Sequence, residues 1–150
     1  MLRVCYNYMI VNGLKGFGYV LKRAFMFIPM KVWSNRFKKC GNNLYIEKTI
    51  KILNPKYIEL GNRFRLFYGA RIECVDKYGE KSFEPKLIIG NNVTINNFVH
   101  IGVVNEIVIE DNVLLASKVY ITDHNHGIYD GSLQSSPDIS PSFREVYSPG

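Results

Sequence analysis

The aliphatic residues fall six apart along most of this chain. Ile46, Ile52 and Ile58 are so spaced, as are Leu60, Leu66 and Ile72. The spacing recurs in Ile89, Ile95, Ile101 and Ile107, and in Ile109, Leu115 and Ile121. A step of six suits neither the 3.6-residue turn of a helix nor the simple alternation of a two-sided strand. It suits a short strand plus a turn, repeated as a solenoid. A longer repeat lies over it: YIELGNRF (57–64), LIIGNNVTI (87–95) and IVIEDNVLL (107–115). These predict coils of about 18–20 residues with three strands in each. The stretch VDKYGEKSFEP (75–85) interrupts the spacing with polar residues, Gly79 and Pro85, and reads as a loop inserted at about 75–86. The predicted fold is an all-β solenoid, a parallel β-helix over 40–126, followed by a polar loop over 127–150. Every sixth side chain points into a narrow triangular prism. Gly61, Gly69, Gly90, Gly102, Asn92, Asn97 and Asn112 take its corners, where positive φ is needed.

Residues 1–39 follow another rhythm. Leu14, Phe17, Leu21, Phe25 and Ile28 recur at three and four, with Lys15, Lys22 and Arg23 off that stripe, and Pro29 ends it. The pattern predicts an N-terminal α-helix, although Gly13, Gly16 and Gly18 each cost about 1 kcal/mol relative to Ala in a helix interior. Such a basic amphipathic leader serves as a cap on the coils or as an interfacial helix on an anionic membrane surface.

Charge sharpens that reading. The net charge is +6, yet residues 1–40 carry eight Lys or Arg and no Asp or Glu, while the remainder is nearly neutral. A basic arm on a neutral body indicates a local electrostatic contact and not nucleic acid. Cys5, Cys40 and Cys74 form no CxxC pair, which argues against zinc and against a disulfide framework. The first residues lack the pattern of a secretory signal, and no uncharged run approaches the ~20 residues that span a bilayer. The expected setting is cytoplasmic, with peripheral contact at the inner membrane face.

The hexapeptide rows, NNFVHIG (96–102), VLLASKVYITDHNHGIYDG (113–131) and the SSPDISPSFREVYSPG tail (135–150) resemble the hexapeptide-repeat acyltransferases. They are most similar to the O-acetyltransferases of lipopolysaccharide O-antigen and colanic acid. The resemblance implies left-handed coiling, a homotrimer, acetyl-CoA as donor with no metal required, and a sugar or lipid-linked oligosaccharide acceptor. It also implies further coils after a segment like SFREVYSPG, which complete the acetyl-CoA groove; this sequence stops at Gly150. The alternative is a non-catalytic trimeric scaffold of the same fold.

Two of the three histidines, His124 and His126, lie in ITDHNHG. Ungapped alignment of the hexapeptide rows puts His126 at the family's catalytic position, and a small gap puts His124 there instead. Neutral imidazole suits removal of a hydroxyl proton near pH 7, a contribution of about 10²–10⁴-fold. Asp123 is the neighbouring carboxylate that can fix an imidazole tautomer. By resemblance Asn96 and Asn125 are acceptor-side residues, and the backbone of Ala116 and Ser117 lines the thioester cleft. Tyr129, Asp130 and Arg144 are polar-loop candidates for acceptor contacts. A metal-dependent hydratase, like the hexapeptide carbonic anhydrases, would take His100 as a third ligand.

Overall fold

The computed structural model describes residue 18, residues 32–47 and residues 50–149. The chain divides into two compact units, 1–35 and 36–150. The predicted leader helix lies, apart from a few residues, outside the described residues. Among the described residues no helix is long and apolar enough to cross a membrane.

Every described strand belongs to the second unit. The first coil contains β1 (Lys39–Cys40), β2 (Tyr45–Ile46) and β3 (Lys51–Leu53). The second contains β4 (Ile58–Leu60), β5 (Arg65–Leu66) and β6 (Arg71–Cys74). A hairpin of β7 (Lys77–Tyr78) and β8 (Lys81–Ser82) follows, paired antiparallel. The third coil has β9 (Lys86–Ile89), β10 (Thr94–Ile95) and β11 (His100–Val103). The fourth has β12 (Glu106–Ile109), β13 (Leu114–Leu115) and β14 (Tyr120–Thr122). Successive strands go to three different four-stranded sheets, ordered β1-β4-β9-β12, β2-β5-β10-β13 and β3-β6-β11-β14. Each strand is parallel to the one a coil away. This is a left-handed parallel β-helix: the coils are those the spacing predicts, and the hand is the one the resemblance implies.

The register explains the six-spacing. Cys40, Leu60, Ile89 and Ile109 stack as one inward column. Ile46, Leu66, Ile95 and Leu115 form a second, and Ile52, Ile72, Ile101 and Ile121 a third. Leu66, Ile95 and Ile101 are wholly buried, each such side chain contributing about 1.5–3 kcal/mol. Paired rungs stand 20 residues apart, except across the inserted hairpin, where they stand 29 apart. The insertion expected as a loop is thus a nine-residue excursion built around a two-stranded ribbon.

The corners follow the predicted rule in part: Gly69, Asn92 and Asn112 do adopt positive φ. One left-handed residue stands at the first corner of each coil: Asn43, Arg63, Asn92 and Asn112. Gly69, Phe98 and Lys118 hold the second corner in the three later coils. Gly61, Gly90, Gly102 and Asn97 do not adopt positive φ. Gly61 is required instead by close stacking, since a Cβ there would come within 2.5 Å of the Gly90 carbonyl. Asparagines bind the coils at the first corner: the Asn62 amide N–H donates to Asn91 Oδ1 at 2.9 Å, and that of Asn91 to Asp111 Oδ1 at 2.6 Å.

Candidate active site

The site begins where β14 ends. Asp123 turns its carboxylate toward the preceding coil and accepts the backbone N–H of Val104 at 3.0 Å and of Asn105 at 2.8 Å. Its Oδ1 also lies 3.0 Å from Nδ1 of His124. Thr122 Oγ1 is a further 3.0 Å neighbour of that nitrogen. With a carboxylate on Nδ1, the proton belongs there, so Nε2 keeps its lone pair. Among the described residues Nε2 makes no hydrogen bond. The ring lies against Gly102, whose missing side chain makes room for it. His124 is thereby held, mostly buried, with one basic nitrogen available.

His126 has different surroundings. It lies on β15 (Asn125–His126), which pairs antiparallel with β16 (Val146–Tyr147). The polar loop predicted over 127–150 therefore returns to the site, and Ser148 Oγ donates to the Asp123 carbonyl at 2.7 Å. The His126 ring packs edge-on against Tyr78 of the inserted hairpin, 5.1 Å between centroids. Its Nδ1 is buried without a hydrogen-bond partner. Tyr129 donates to the His126 carbonyl at 3.0 Å, and Asn125 is exposed beside it. The two imidazoles are 6.4 Å apart. Asp123, His124, Asn125, His126 and Tyr129 thus form one cluster.

The other predicted residues lie elsewhere. Asn96 is at the second corner of its coil, where its backbone N–H donates to Leu115 O at 3.1 Å. Ala116 and Ser117 occupy the same corner one coil later, both exposed. His100 is turned to Glu73, 3.2 Å from its Oε2, and stacks at 4.9 Å on Tyr120. No group of three His, Cys, Asp or Glu among the described residues is placed to hold a metal ion. Asp130 is exposed, and Arg144 donates from Nε to the Ile139 carbonyl at 2.8 Å.

Sequence reasoning overlooked two contributors, Thr122 and Tyr78, and, outside the cluster, the ion pairs of Glu73. Glu73 is buried between Ile72 and Cys74 and held by Lys51 at 3.0 Å and Arg71 at 2.7 Å. A charge in the apolar row RIEC was the available signal.

Over 98 residues the chain is 37% identical to WbbJ of Escherichia coli K12, provisionally named a lipopolysaccharide biosynthesis O-acetyl transferase. The chain is related to that transferase. The match takes in 65% of this chain and 46% of WbbJ, so it spans less than half of its relative's length. No family model and no solved structure matches the chain. The relation to WbbJ agrees with the acyltransferase resemblance of the hexapeptide rows, and the β-helix is the fold that those rows demand.

Proposed function

We propose that this chain is an O-acetyltransferase that uses acetyl-CoA to modify a sugar hydroxyl of a lipopolysaccharide or other cell-surface polysaccharide precursor. The observation that carries this reading is the Asp123–His124 pair, a carboxylate 3.0 Å from Nδ1 with Nε2 unengaged among the described residues. In the proposed reaction His124 Nε2 takes the proton of the sugar hydroxyl as its oxygen becomes the nucleophile. Asp123 keeps the Nδ1 proton in place and stabilises the imidazolium that forms. Its own two backbone donors fix the carboxylate, so the ring is oriented before the acceptor arrives. Acetyl-CoA supplies the acyl group and a thiolate leaving group. His124 can then return its proton to that sulfur, which restores the neutral ring.

Asn96, Ala116 and Ser117 stand at a different corner from His124. The proposal therefore assigns the acceptor and donor groove to the seam between copies of a homotrimer, one copy supplying His124 and its neighbour the corner. Residues 1–39 would bring the trimer to the cytoplasmic membrane face, where lipid-linked acceptors are found.

Release of free thiol from acetyl-CoA in the presence of a polysaccharide-precursor acceptor tests the reading. Thiol release that depends on acceptor and disappears in His124→Ala is the expected result. Acceptor-independent release, or full turnover in His124→Ala, would refute it.

A further inference from the structure

The segment after His126 forms, with Lys81 of the inserted hairpin, a half-open cavity of about 330 Å³. Small-molecule sites run from about 300 to 1,000 Å³, so this one suits a single sugar ring. Its wall includes Lys81, Gly127, Ser135, Phe143, Arg144 and Tyr147. It shares a strand pair with the site, since His126 pairs with Val146 and Asn125 with Tyr147.

The wall carries two basic side chains without an acidic partner among the described residues. Lys38, Lys51, Lys56, Arg71 and Lys86 each hold a carboxylate. Lys81 and Arg144 hold none among the described residues. Each is positioned by a backbone carbonyl instead: Lys81 Nζ donates to Val146 O at 3.4 Å, and Arg144 Nε to Ile139 O at 2.8 Å. The terminal guanidinium nitrogens remain available for a forked contact with a carboxylate or phosphate. The one acidic wall residue, Glu145, leaves the lining with a net positive charge. Phe143 is 86% exposed and Tyr147 40%, which leaves two rings open to the C–H face of a sugar.

We infer that this cavity is a subsite for an acidic saccharide, a sugar bearing a carboxylate or phosphate, next to the unit that is acetylated. This assignment rests on the acetyltransferase reading for its purpose, but binding tests it without turnover. Backbone NMR shifts of the whole chain would be followed on adding glucuronate, glucose 1-phosphate, glucose or inorganic phosphate, with no acetyl-CoA present. Both charged sugars should move the amides of Gly127 and Arg144–Tyr147, the tighter of the two identifying the charge. Glucose should bind at least about tenfold more weakly. Lys81→Gln and Arg144→Gln, on separate elements, should each weaken the charged sugars about tenfold with the thermal midpoint kept. Equal binding of glucose, equal binding of inorganic phosphate, or unchanged affinity in both variants would overturn the inference. Charged-sugar binding without acetyl transfer would sink the proposed reaction and leave the subsite standing.

Discussion

A methyl group on Gly102 would stand 3.3 Å from Cε1 of His124 and 4.0 Å from Nε2, so the imidazole rests directly on a residue without a side chain. That contact is tight enough to displace the ring by a few tenths of an ångström and no more. Gly102→Ala should therefore lower acetyl transfer about tenfold with little change in stability, because reactions of this kind respond to small misplacements. Gly102→Val should lower it further. Turnover measured beside thermal unfolding separates a displaced ring from a damaged fold.

Asp123→Asn tests the tautomer. With its oxygen in the place of Oδ2 the amide can still accept from Asn105 at 2.8 Å and from Val104 at 3.3 Å, but the NH₂ group then replaces Oδ1 facing Nδ1 and favours the proton on Nε2, where a base needs a lone pair. Transfer should fall by about 10²–10⁴ in both Asp123→Asn and His124→Ala. His126→Ala should cost stability more than chemistry, since its ring packs on Tyr78. Acetyl transfer retained by His124→Ala and lost in His126→Ala would reverse those roles.

Glu73 should govern acid stability. Burial pushes its carboxyl up, but hydrogen bonds from Arg71 and Lys51 more than offset this and hold it below the usual carboxylate value. A depressed folded value adds stability that is complete above the unfolded value of about 4.3 and fades as pH falls through the folded one. Urea unfolding at pH 7 should show Glu73→Gln destabilised by about 1–3 kcal/mol, a gap that closes toward pH 3. A gap of constant size would exclude the ionic role.

Cys74 should be silent to thiol reagents. Burial, with the nearby charges of Asp123 and Asp76 adding to it, pushes its thiol up to about 12. Only the thiolate reacts, so iodoacetamide at pH 8 should leave Cys74 unmodified in the folded chain and label it in urea. Labelling at equal rates in both states would contradict the burial.

The prism was legible because its signal is local and repeated. Each aliphatic column needs the same residue type every six positions, and a 20-residue rung keeps that beat with one longer side. Gly69, Asn92 and Asn112 were read rightly, and the other corners were missed for a physical reason. Glycine and asparagine both suggest positive φ, yet Gly61 is present for close stacking and Phe98 carries a left-handed backbone on a bulky side chain. Its ring fills the place where Gly69 would carry a Cβ, at 2.5 Å, a compensation that only the stacked coils create. The ITDHNHG loop stood out because it holds two of the chain's three histidines. Which histidine Asp123 holds was not readable, since the two rings stand one and three residues from it. Tyr78 was hidden by distance along the chain.

The hairpin makes its contacts with the final segment across unusually long stretches: Tyr78 reaches Ser142 and Lys81 reaches Val146, separations of 64 and 65 residues. Rungs close spans of 20 or 29, so neighbouring turns can add to one another early, whereas the returning tail waits for the largest loop closures. Folding should consequently finish at the corner that holds His124 and His126, and a ribosome-arrested chain lacking its last dozen residues would hold a formed prism with an unfinished pocket.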